Sequence, residues 1–195
     1  MSDLYARETT LALLHEHTLG DSLRRHGYAV EAAMRAAAER IGGDPVYWAA
    51  VGLLHDFDYE KYPEPPDHPL KGADILRAKG YPEEFVRTIL SHASYTAVPR
   101  ENDCARWLFA VDELCGFCMA SAMVQPERKI AAVEVRSVVK KLKKKDFAAK
   151  VNREEIAEGA QDLGMAQEDV ITHVLGALTV VAADLGLAGS GPAGA

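Results

Sequence analysis

The sequence predicts an all-α protein, a helical bundle with a C-terminal helical extension, and three observations predict it. Ala, Leu, Glu, Arg and Lys dominate the chain, and these are among the residues that lose least on entering a helix. No stretch sustains the apolar-polar alternation of a half-buried strand. Paired glycines and clustered prolines fall between the periodic segments, where helices stop and start.

At 195 residues the chain is long enough for one domain with a full core and too short for a comfortable second one. We therefore divide it into a helical domain over 1–125, an extension over 126–187 packed on it, and a flexible tail over 188–195. The 48% apolar and 26% charged composition is that of a globular chain. A net charge of -7 excludes a general nucleic-acid binder, which needs a basic surface to displace counterions. The opening MSDLYARETT has no basic or apolar leader segment, which predicts a cytoplasmic protein. Trp107 to Val124 approaches membrane-spanning length, but Asp112 and Glu113 near its middle make it a core helix rather than a lipid-facing one. Cys104, Cys115 and Cys118 are too few for a disulfide framework and read as reduced, buried thiols.

Taken in order, the first helix is expected over 4–18, and a second runs from Asp21, as N-cap, to Ile41 before Gly42-Gly43. Asp44-Pro45 restarts a helix that ends near His55-Asp56. Residues 57–69, FDYEKYPEPPDHP, hold four prolines and form a loop. Helices follow over 69–79, 82–93 and 102–124, with a boundary at Pro126. Beyond it come a basic helix at 127–145, a short one at 152–163 and an apolar one at 167–186.

Chemistry enters where polar residues interrupt apolar surroundings, because burying an unpaired charge costs several kcal/mol by order of magnitude. Asp112 lies inside WLFAVDELCGFCMASAMV and needs a cation or a metal. His55 and Asp56 end the run VYWAAVGLL, at the start of the proline-rich loop. His26, His68 and His92 lie on three further segments, so nitrogen and oxygen donors are spread over successive elements.

This order, His, then His-Asp, then His, His and Asp, resembles the HD superfamily of metal-dependent phosphohydrolases over about residues 20–124. The resemblance implies an HD-domain-like bundle in which His26, His55, Asp56 and Asp112 are the core metal ligands. His68, in DHPLKGA, and His92, in ILSHAS, resemble the added ligands of two-metal members. In many members an apolar residue and glycine follow the pair, whereas here Phe57 is followed by Asp58.

Adjacent helix residues point about 100° apart, so His55 and Asp56 reach one metal only at a helix end. A carboxylate has two oxygens, so Asp56 can bridge, with His26, His55 and Asp112 on one ion and His68 and His92 on the other. Mixed imidazole and carboxylate donors favour iron or manganese over zinc or magnesium. A water bridging two such ions ionises at neutral pH and attacks phosphorus, with Asp56 orienting it. The expected activity is hydrolysis of a small phosphorylated substrate, nucleotides included. A two-iron oxygenase with the same ligands and a non-catalytic nucleotide sensor are the rivals, and the oligomeric state stays open.

Lys71, one turn after His68, is the expected phosphate-binding residue, and Arg100 is a weaker one of the same type. Asp58 and Glu60 are considered as the leaving-group acid. His15, His17 and His173 fit no ligand spacing. Lys140, Lys141, Lys143, Lys144 and Lys145 read first as a solvated helix end, and second as a docking face for a multiply phosphorylated ligand.

Overall fold

The computed structural model describes residues 4–189. The helices are α1 (Arg7–His17), α2 (Asp21–Ile41), α3 (Pro45–Leu54), α4 (Asp67–Ala78), α5 (Glu83–Leu90), α6 (Asp103–Met123), α7 (Val135–Leu142), α8 (Arg153–Asp162) and α9 (Gln167–Val180). Single 3-10 turns lie at Ser94–Thr96 and Ile130–Ala132. Among the described residues there is no strand, and β pairing is limited to an isolated bridge between Lys129 and Ala188. The all-α expectation therefore holds.

Two apolar helices make the centre. α3 is buried continuously from Trp48 to Leu54, and α6 buries most of its length from Cys104 to Ala122. α2 supplies a stripe of small residues, Ala29, Ala33, Ala37 and Ala38 around Met34, against which α3 packs closely. The start of α3 is set locally. The Asp44 carboxylate accepts from the Val46 and Tyr47 amides at 2.9 and 3.2 Å, and Pro45 occupies the first helical position, where its missing N–H costs nothing.

The helices beyond Pro126 share this core. α8 lies on α6, and α9 lies against both α2 and α6. Ile156, Ala160, Val170, Ile171 and Val174 join one continuous apolar cluster with the α2, α3 and α6 side chains. α8 approaches so closely that a Cβ on Gly159 would stand 2.5 Å from the Ala110 Cα, so only glycine fits at that crossing.

Several sequence expectations need adjustment. Asp21 is the first helical residue, with Gly20 in the capping position, so its carboxylate faces the positive helix end instead of capping it. The basic segment at 127–145 is not one helix. Arg128 takes a left-handed φ of 46°, Ile130 turns fully into the core, and its amide donates to the Leu187 carbonyl at 2.9 Å. Only Val135–Leu142 remains helical, which leaves Lys143, Lys144 and Lys145 past its end. The last helix stops at Val180 because the chain then turns through Gly186, φ 67°, to bury Leu185 and Leu187. Of the expected tail, residues 190–195 lie outside the described residues. No helix among the described residues is long and apolar enough to cross a membrane.

Removing the α3 cap by Asp44→Ala should destabilise the protein by about 1 kcal/mol. The check is a urea melt followed by far-UV circular dichroism, with the midpoint lowered and the folded spectrum unchanged.

Candidate metal centre

Five elements deliver their polar side chains to one point. His26 comes from the first turns of α2, His55 and Asp56 from the end of α3, His68 from the start of α4, His92 from just past α5, and Asp112 from the middle of α6. Two sets of donor atoms result. One ligand atom each of His26, His55, Asp56 and Asp112 lie within 4.8 Å of one another, and so do those of Asp56, His68 and His92. Asp56 belongs to both sets through different oxygens. Its Oδ2 lies 3.5 Å from His55 Nε2 and 3.9 Å from His26 Nε2. Its Oδ1 lies 3.2 Å from His68 Nε2 and 3.3 Å from His92 Nε2.

The imidazoles are oriented from behind. A helix leaves its last carbonyls without intrahelical partners, and two of these imidazoles use them. His55 Nδ1 donates to the Gly52 carbonyl at 2.8 Å, and His92 Nδ1 donates to the Ile89 carbonyl at 2.6 Å. His68 Nδ1 donates instead to Asp58 Oδ1 at 2.9 Å, and Asp58 Oδ2 accepts the Gly72 amide at 2.8 Å. Asp58 is fully buried, and a Cβ on Gly72 would stand 2.7 Å from its Cγ. The residue that departs from the common motif is thus the one that orients His68.

This orientation tests whether a metal fits. With the proton on Nδ1, each of these rings turns an Nε2 lone pair inward. There it meets carboxylate oxygens, and the Nε2 atoms of His26 and His55 lie 3.2 Å apart. His26 Nε2 is also 2.9 Å, and His55 Nε2 3.2 Å, from Asp112 Oδ1. So many acceptors at such distances need positive charge among them, as protons or as a cation, and each of the two donor sets has the residues to hold a divalent metal.

Without metal, protons carry that charge. Burial opposes charging His55, but the Asp56 and Asp112 carboxylates outweigh it and hold its pKa well above the ordinary 6.5. Burial likewise opposes charging His68, and hydrogen bonds to Asp56 and Asp58 raise it to about 9. Burial works against ionising Asp56 and Asp112 too, yet the neighbouring imidazoles hold both well below the usual carboxylate range.

The donors open into a cavity of about 250 Å³ whose outer wall includes Tyr59, Ser94, Tyr95, Glu113 and Glu155. Ser94 Oγ donates to Glu155 Oε1 at 3.2 Å, joining the turn after His92 to α8. Tyr95 Oη donates to the His68 carbonyl at 2.9 Å. Burial, then the adjacent Asp112 charge, pushes Glu113 up to about 7, and burial also raises Glu155. Sequence reasoning passed over these wall residues. Glu113 carried a signal, a second charge in an apolar helix, whereas nothing local marks Glu155.

Lys71 is not at the cavity. It is exposed and does not line it. The same-face argument from His68 assumes helical backbone between them, but His68 has ψ 135°, so regular helix begins only after it. Arg100 is also elsewhere, paired with Glu158 and Asp162 of α8 and lying 3.8 Å over the Phe109 ring. Nor is Asp58 or Glu60 free to serve as an acid, since Asp58 is committed to His68 and Glu60 accepts the Leu19 and Gly20 amides. His173 Nε2 donates to the Ala33 carbonyl at 3.0 Å and its ring packs against Trp107, and His15 meets Tyr28. The three cysteines are buried and free.

Residues 23–115 match the family model of the HD domain, a segment that contains all six converging side chains. No curated protein and no solved structure matches the chain.

Asp58→Ala should loosen His68 and weaken metal binding by about 10- to 100-fold, measured by competition with a chromogenic chelator; unchanged affinity would remove Asp58 from the site. A second expectation follows from the raised imidazoles. In the metal-free protein their contribution to stability is complete below their ordinary value of 6.5 and is lost as pH rises toward about 9, where folded His68 gives up its proton. Thermal melts in chelator should therefore fall across that window, while metal affinity rises because fewer protons must be displaced. A flat or rising metal-free profile contradicts this electrostatic account.

Proposed function

We propose, from the HD-domain match over residues 23–115, that this chain is a metal-dependent phosphohydrolase of the HD superfamily acting on a small phosphorylated substrate. The observation that carries the proposal is the position of Asp56, whose two oxygens face two separate donor sets. On this basis His26, His55, Asp112 and Asp56 Oδ2 would hold one divalent ion, and His68, His92 and Asp56 Oδ1 a second. Their mixed nitrogen and oxygen donors suit iron or manganese before zinc or magnesium. Ions of this kind polarise a phosphoryl oxygen and lower the pKa of water into the neutral range.

The chain's own residues then have separable tasks. Asp56 orients the nucleophilic water between the two sets. Asp58 and the Gly52 and Ile89 carbonyls keep three imidazoles in the Nδ1–H tautomer, so that each presents a lone pair at Nε2. The buried His55, His68 and His92 rings lie out of bulk water, which strengthens the charge interactions they make. In this proposal residues 126–187 serve the HD-type unit of residues 1–125 as an extension that completes its pocket, through Glu155.

Protein reconstituted with manganese under nitrogen should release phosphate from small phosphomonoesters. His55→Ala and Asp56→Ala should abolish that release and lower a metal content of about two ions per chain. Metal content unchanged in both variants refutes the site. Consumption of substrate only when dioxygen is admitted assigns the site to oxygenation, and stoichiometric nucleotide binding without turnover assigns it to sensing.

A further inference from the structure

The six converging donors account for the floor of the cavity and leave its outer wall without a task. Among the described residues that line it, none is lysine or arginine, although the wall includes the carboxylates of Glu113 and Glu155. A polyphosphate needs the opposite, because each additional phosphate calls for a guanidinium, an ammonium or a row of amides. At about 250 Å³ the cavity is also smaller than the roughly 300–1,000 Å³ of pockets for drug-sized ligands. One phosphoryl group at the donors and a short remainder fill it.

The chemistry of the wall specifies the remainder. Glu113 projects from α6 next to Asp112, and Glu155 reaches in from α8, held by the Ser94 hydroxyl. Both carboxylates line the same cavity. Arg100 and Arg153, the arginines of this region, are occupied elsewhere: Arg100 with Glu158 and Asp162, Arg153 with the carbonyls of Leu142, Lys144 and Val151. The Tyr95 and Tyr59 rings complete the rim, and aromatic faces attract cations. Paired carboxylates beside aromatic rings form the surroundings of an organic ammonium ion.

We propose that the pocket selects a small phosphomonoester whose far end carries an ammonium group, lodged between Glu113 and Glu155 and against the Tyr95 ring. The orientation, with phosphate toward Asp56, rests on the phosphohydrolase proposal, but recognition of the ammonium group does not. Glu113 and Glu155 are then specificity determinants, and the second of them comes from outside the segment that matches the HD domain.

Calorimetry on manganese-loaded protein tests this with two ligands of equal length, 2-aminoethyl phosphate and n-propyl phosphate. The amino compound should bind at least about tenfold more tightly, the least expected of a charged hydrogen bond. Glu155→Gln, which keeps an acceptor for Ser94, should reduce that ratio to below about threefold, and Glu113→Gln should do the same by an independent route. Equal binding of the two ligands, binding of neither, or a preference that survives both substitutions overturns the proposal. Phosphate release is read in parallel. Preference without hydrolysis leaves ammonium recognition standing and removes the phosphohydrolase, whereas hydrolysis of both compounds with equal kcat/KM does the reverse.

Discussion

The Asp56 carboxylate is the constraint around which the rest of the molecule is arranged. A single side chain can serve two donor sets only if each oxygen is approached from its own side, and that requires elements from opposite directions. α2, the end of α3 and α6 bring His26, His55 and Asp112 to Oδ2, while the start of α4 and the end of α5 bring His68 and His92 to Oδ1. Because Asp56 sits two residues past Leu54, the last residue of α3, its direction is set by the helix end, and the helix end is set by the core. The depth of α3, buried from Trp48 to Leu54, thus fixes where the carboxylate stands.

Helix termini recur as the device that orients the ligands. His55 and His92 both use the carbonyl three residues back, at the ends of α3 and α5, the Ile89 carbonyl also accepting the His92 amide at 3.1 Å. Ending α3 and α5 at the site therefore provides the ligand and its orienting partner together. His68 has no such carbonyl, being at the beginning of α4, and a buried aspartate replaces it. This substitution explains Gly72, since the Asp58 carboxylate occupies the space a side chain would take.

The extension beyond Pro126 contributes more than added core. α8 crosses α6 at Gly159, and this contact carries Glu155 into the cavity one turn away. Arg100 reinforces the same junction by pairing with Glu158 and Asp162, which binds the loop after His92 to α8. The cavity wall thus combines Tyr59, Ser94, Tyr95 and Glu113, from the same part of the chain as the donors, with Glu155 from beyond Pro126.

Helical class, the α3 cap and the six polar residues that converge were legible locally. Helix-forming composition, Asp44-Pro45 and charges set in apolar runs each express their physics within a few residues. Even the sharing of Asp56 was accessible, because two oxygens and a helix end are properties of the local chain. The exclusion of Lys71 turns on the non-helical ψ at His68, a restriction that the following Pro69 itself favours, so it too was open to a local reading. The role of Asp58 needed Gly72 to approach from fourteen residues away, and Glu155 entered the pocket from |i−j| = 61 relative to Ser94. Sequence periodicity reports which face of an element is buried; which elements meet, and so which polar groups stand opposite one another, is decided by the packing of whole helices.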